Sequence, residues 1–189
     1  MGRYLLAAAL SVAALLGQEF KLGSKVEDFT LRDTTGGEVQ FASLRGPVTV
    51  VVFIATKCPV SNSYNDRMNA IYKDYSQRGV KFVFVNSNHT EPIEEVAQHA
   101  REHFSFPVYK DEDNVVADRF GASVTPEAFV LDATGAIRYH GSIDDSQVVQ
   151  RAQESRLRNA LDAVLASKPV DQAETKAFGC SIKRVRKAS

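Results

Sequence analysis

Two cysteines occur in the 189 residues, and the first of them, Cys58, stands where a thiol can react. It follows Val48 to Ile54, V-T-V-V-V-F-I, a nearly continuous β-branched run of the kind found in a strand covered on both faces. In open α/β sheets, reactive groups collect at the carboxyl ends of the strands. Cys58 also precedes Pro59 and a helical pattern, so it sits at a helix start. There the unpaired backbone N–H groups and the positive end of the dipole favour the thiolate, and Lys57 adds a positive charge beside it. The chemistry expected of Cys58 is therefore nucleophilic. The competing reading is a small buried hydrophobe, the usual state of a free Cys.

Other polar residues carry weaker signals. His99 and His103 are spaced i, i+4 on a helical pattern and could share one metal, but no third ligand is evident and a solvated helix face is expected. His89 follows the strand pattern Val80 to Val85 at the same sheet end as Cys58, so a soft copper site of Cys58 and His89 is the metal alternative. No metal or other cofactor is expected. Asp144 and Asp145 precede the last helical pattern and are expected to cap it, with a proton-accepting role near Cys58 as the alternative.

The elements that must position Cys58 follow from periodicity. Residues 20–46 alternate apolar and polar around Thr34-Thr35-Gly36-Gly37, a hairpin pattern. After Cys58, Tyr64, Met68, Ile71, Tyr72 and Tyr75 recur at helical spacing up to Gly79. Val80 to Val85 predicts a strand. Pro92 opens a second helix with Ile93, Val96, Ala97, Ala100 and Phe104 on its buried stripe. A short strand from Phe106 to Tyr109 and a short helix from Val115 to Phe120 follow. Ala128 to Asp132 and Ile137 to His140 flank Ala133-Thr134-Gly135-Ala136 as an antiparallel hairpin, and Leu157, Ala160, Leu161, Val164 and Leu165 mark the last helix. Strands alternating with helices predict an α/β sandwich, a mixed central sheet flanked by helices on both faces, with an N-terminal β-hairpin extension. Residues 168–189 lack a period and read as an extended tail with a solvated basic end.

Composition bounds the rest. A chain of this length forms one domain, expected over 18–167, and can bury a core without disulfide staples. Lysine and arginine total 23 against 23 acidic residues, with no basic surplus for a nucleic-acid partner. Residues 1–17 carry only Arg3 followed by an uncharged Leu/Ala run, the build of a secretory signal and shorter than the roughly 20 residues that span a bilayer. The expected location is periplasmic or secreted, with no stable membrane span once the signal is cleaved. Both thiols would then lie where disulfides persist.

Phe53 to Ser61, F-I-A-T-K-C-P-V-S, resembles the strand-to-helix turn of thioredoxin-fold proteins, with Cys58 on the first, nucleophilic cysteine and Ser61 where the second would be. Val124-Thr125-Pro126 resembles the loop whose proline is cis and packs beside the active-site cysteine. Asp28-Phe29-Thr30-Leu31, the Gly36-Gly37 turn and Leu44-Arg45-Gly46 are similar to the entry of the redoxin branch, which includes the alkyl hydroperoxide reductase/thiol-specific antioxidant group and TlpA/ResA-type oxidoreductases. C-P-V-S-N-x-Y and Gly179-Cys180 resemble a peroxiredoxin-like group with a Gly-Cys pair in its tail.

The resemblance implies a thiol–disulfide oxidoreductase in which Cys58 attacks, Lys57, Pro59 and Ser61 support it, and Thr125 and Pro126 shape the partner groove. The partner would be a thiol or disulfide protein or a small-molecule thiol. A peroxidase is the second choice. Peroxiredoxins of this lineage place the reducing Cys at the position of Ser61, with a Thr three residues before it and a distant Arg, and a thiolate without such donors leaves a developing oxyanion unstabilised. A non-enzymatic copper- or partner-binding module using Cys58, His89 and Cys180 is the third. Exchange needs a second attacker on a mixed disulfide, and Cys180 is the candidate within the chain. An extended tail after Pro169 spans roughly 50 Å, enough to reach Cys58. Intermolecular pairing, metal ligation or an idle Cys180 stay open, and a Cys58–Cys180 disulfide could also be simply structural.

Overall fold

A computed structural model describes residues 19–186. The proposed signal, 1–17, lies outside the described residues. In chain order the elements are β1 (Thr30–Arg32), β2 (Glu38–Gln40), α1 (Phe41–Leu44), β3 (Val48–Ile54), α2 (Pro59–Asn62), α3 (Asn65–Ser76), β4 (Val80–Asn86), α4 (Ile93–His103), β5 (Val108–Lys110), α5 (Val115–Phe120), β6 (Val124–Thr125), β7 (Glu127–Leu131), β8 (Ile137–Gly141), α6 (Arg156–Leu165) and β9 (Cys180–Ser181). Seven strands form one mixed sheet in the order β2-β1-β5-β4-β3-β7-β8, while β6 and β9 pair separately. Strand β3 is parallel to β4 and antiparallel to β7, and all seven of its residues are buried. The β-branched run thus fills a central strand because both of its faces are covered.

The two faces are covered differently. Val50, Val52 and Ile54 point to a core with Tyr64 just before α3, Met68 and Ile71 of α3, Val96 of α4 and Leu157 and Leu161 of α6. Val51 and Phe53 point the other way, to Phe29, Phe41, Val116 and Phe120, so the N-terminal hairpin segment and α5 close that face. The expected sandwich and its hairpin extension at the sheet edge are present. No helix among the described residues is long and apolar enough to cross a membrane.

Four expectations need correction. The helix after Cys58 is two helices, because the chain turns at Ser63–Tyr64 between α2 and α3. The strand expected at Phe106 begins at Val108, and Phe106 instead stacks on Phe84 in the core. Asp144 and Asp145 do not cap α6, whose N-cap is Ser155. Asp144 instead pairs with Arg67, and Asp145 accepts the backbone N–H of Gln153 at 3.0 Å. The tail is extended but docked, since hydrogen bonds to distant loops replace helix or sheet periodicity. In its basic end Lys183, Arg184 and Arg186 are exposed, while Arg184 also donates to Asp118 at 2.8 Å and to the Ala122 carbonyl at 2.6 Å.

Candidate active site

Cys58 leaves β3 in extended conformation and is the N-cap of α2, with Pro59 at the first helical position, where no N–H is needed. Its Sγ accepts the Ser61 N–H at 3.3 Å, and the residue is 4% exposed. Ser61, at the place of a second thioredoxin-type cysteine, is buried and holds backbone: its hydroxyl accepts the Ala55 N–H at 3.0 Å. Pro59 is exposed. Lys57, expected to support the sulfur with its charge, has an ion-pair partner of its own. Its exposed ammonium pairs with Glu95 at 2.6 Å, because α4 places that carboxylate within its reach.

The facing loop is supplied by β6 and the start of β7. The Thr125–Pro126 peptide is cis, and the Thr125 carbonyl oxygen lies 3.7 Å from Cys58 Sγ. Glu127, buried just after it, fixes this loop by accepting the N–H groups of Ser123 at 2.7 Å and Val124 at 3.1 Å, while its other oxygen meets His140 Nε2 at 2.6 Å.

Cys180 is brought to Cys58 from the tail. The two form a disulfide across 122 positions, with Cα atoms 5.9 Å apart, so intermolecular pairing, metal ligation and an idle thiol do not describe this state. The tail approaches beside β8, where Thr175 donates to the His140 carbonyl at 2.9 Å and His140 to the Ala173 carbonyl at 2.9 Å. It then pairs antiparallel with β6, Thr125 opposite Cys180 and Val124 opposite Ser181. A Cβ on Gly179 would overlap the Thr125 carbonyl, so only glycine permits this approach. Phe178 packs against one core and Ile182 is buried in the other, placing Cys180 between two apolar anchors.

Sequence periodicity missed the polar groups behind Cys58. Glu91, 3% exposed, accepts the N–H groups of Thr56 and Lys57, both at 2.9 Å, and the side-chain amide of Asn86 at 2.6 Å. Lys110 is also buried and donates to Asn86 Oδ1 at 3.0 Å and to the Asn88 carbonyl at 2.6 Å. The one available signal was a Glu-Pro pair at a helix start, which reads as an ordinary acidic first turn.

The metal alternatives lack a ligand set. His89 is exposed and its backbone N–H donates to the Lys183 carbonyl at 2.8 Å, while His99 Nε2 is 3.1 Å from Asn62 Oδ1. Burial first, and then His103, pushes His99 down in pKa. No group of three His, Cys, Asp or Glu residues among the described residues could hold a metal.

The family model described as AhpC/TSA matches residues 22–140, which include β3, Cys58 and the cis-proline loop. The chain belongs to the AhpC/TSA family. It is 30% identical over 118 residues to the thiol-disulfide oxidoreductase ResA of Geobacillus thermodenitrificans, a match covering 62% of this chain and 67% of that protein. Among solved structures, an uncharacterized conserved protein from Geobacillus kaustophilus superposes with a TM-score of 0.83 at 31% identity, over 89% of this chain and 95% of that one. A secreted Mycobacterium tuberculosis disulfide oxidoreductase superposes at 0.51 with 21% identity, over 58% of this chain and 79% of that one, which shows the shared thioredoxin fold. The AhpC/TSA match ends at His140, so it leaves out the tail that carries Cys180.

Proposed function

We propose that the protein is an exported thiol–disulfide oxidoreductase whose working pair is Cys58 and Cys180. The observation that carries this reading is the Cys58–Cys180 disulfide at the carboxyl end of β3, beside Thr125–Pro126. In the reduced protein the Cys58 thiolate, stabilised by the Ser61 N–H, attacks one sulfur of a partner disulfide and expels the other as a thiolate. The Cys180 thiolate then attacks Cys58 Sγ and releases the second partner thiolate. The partner gains two electrons and the protein ends as the internal disulfide; two external thiols, or one dithiol, then return Cys58 and Cys180 to thiols by two successive exchanges and leave as a disulfide. The name of the ResA relative, a thiol-disulfide oxidoreductase, supports exchange chemistry at this pair. Export rests on the apolar N-terminal run, and would place the pair where a disulfide persists.

Trapping tests it. Cys180→Ser, reduced and mixed with a small aromatic disulfide, is expected to retain one adduct on Cys58, whereas the parent protein releases it and closes its own disulfide. Equal adduct retention by both proteins, read by intact mass, would remove Cys180 from the cycle, and an unreactive Cys58 would remove the activity.

A further inference from the structure

The disulfide is held from behind by one continuous buried polar bridge. At one end the Glu91 carboxylate takes the N–H groups of Thr56 and Lys57, the two residues before Cys58. Asn86 joins that carboxylate to Lys110, donating its amide to Glu91 and accepting the Lys110 ammonium on Oδ1. Lys110 also holds the Asn88 carbonyl. At the other end Asn88 Oδ1 accepts the N–H of Lys183 at 2.7 Å, three residues past Cys180.

Stability alone is a weak reason for such groups, because replacing a buried carboxylate and ammonium by a well-packed apolar pair is often neutral or stabilising. Burial pushes Lys110 down in pKa, and the Glu91 carboxylate opposes it. The bridge ties the segment carrying one thiol to the segment carrying the other, although the two are far apart in the chain. Two thiols fixed to one scaffold form a disulfide with a constant set by how often their sulfurs meet, an effective concentration.

We propose that Glu91 and Lys110 are positioning residues for the exchange reaction, holding the Cys58 and Cys180 segments on one buried polar bridge and so setting the effective concentration of the two thiols. The proposal rests on the exchange reading. Neither residue touches the sulfurs, so both act through the loops they hold. Oxidised glutathione and the reduced protein give the protein disulfide and two reduced glutathiones, and the equilibrium constant of that reaction is the effective concentration.

The full chain is equilibrated in glutathione buffers of graded ratio, quenched with an alkylating agent and read by mass. Glu91→Gln is expected to lower the constant about tenfold, equal to about 30 mV, since its amide would face N–H donors. Asn88→Ala removes the acceptor for the tail and is expected to lower it about fivefold. In Glu91→Gln/Lys110→Met no charge is left buried in the bridge, so thermal stability recovers relative to Glu91→Gln while the constant stays low. A parent-like constant in Asn88→Ala overturns the proposal even if the Glu91 variant does not fold, and so does a double variant that restores the constant. A parent protein that fails to equilibrate with glutathione refutes the exchange reading itself, whereas an equilibrating parent with unchanged variants refutes only the bridge.

Discussion

The two ends of the central sheet are built on opposite plans. At the end opposite Cys58, Asp132 closes the β7–β8 hairpin with contacts inside its own turn: its Oδ1 accepts from the Thr134 N–H at 2.8 Å, the Thr134 hydroxyl at 2.6 Å and the Ala136 N–H at 3.1 Å. At the sheet edge Asp33 closes the β1–β2 hairpin in the same local way, accepting from Thr35 and Gly37. At the Cys58 end, carboxylates and amides are buried and reach across the chain, as Glu91 does to Thr56 and Asn88 to Lys183. Turn-closing groups hold one loop each. Groups at the Cys58 end join loops that the sequence separates, and that is what a disulfide between distant cysteines requires.

Breaking the long-range end should cost most. Reducing the disulfide, or replacing Cys180 with Ser, releases a loop closure worth about 4–5 kcal/mol in the chain-entropy account, and urea unfolding of oxidised against reduced protein measures it. Asp111 comes next. It is buried, with its two oxygens accepting from Val116 N–H at 3.0 Å, Ala117 N–H at 2.9 Å and the Ser87 hydroxyl at 2.8 Å. Asp111→Asn would turn an amide toward a donor and lower stability by about 2–3 kcal/mol in the same unfolding experiment. Gly179→Ala should cost about 1–3 kcal/mol through overlap with the Thr125 carbonyl. It should also slow closure of the internal disulfide, followed by alkylation after mixing with oxidised glutathione.

The local end should respond least, and to pH. Partial burial raises the Asp132 pKa, but hydrogen bonds from Thr134, Arg138 and two backbone N–H groups outweigh it and hold the carboxyl at about 2. A folded-state value below the ordinary one means that the ionised turn stabilises the fold above about pH 4 and loses that contribution as pH falls toward 2. Asp132→Asn should cost about 1 kcal/mol at neutral pH and flatten the stability profile over that acid window, as followed by thermal unfolding between pH 2 and 5. If Asp132→Asn proved as damaging as Asp111→Asn, the distinction between the two ends would fail.

Hairpins, the central strand and the position of Cys58 were legible because each depends on neighbours in sequence. The run Val48–Ile54 matches β3 residue for residue, and Val115–Phe120 matches α5. The partner of Lys57 was not legible because adjacency in sequence does not say where a long side chain ends, and α4 supplies Glu95 to it. Asp144 was misread for the same reason, since α3 brings Arg67 to it before α6 begins. The tail showed no period because its strand has two residues and its remaining hydrogen bonds go to loops.

By itself the sequence determined a buried central strand ending in a cysteine at a helix start, because side-chain branching, turn residues and capping act within a few positions. It also determined that a second thiol existed within reach. Only the tertiary structure decided that Cys180 meets Cys58, that Gly179 passes against Thr125, and that Glu91 and Lys110 stand behind both. Those choices depend on which loops the sheet order brings to one end, and the cost of leaving a buried donor or acceptor unpaired then selects the partners.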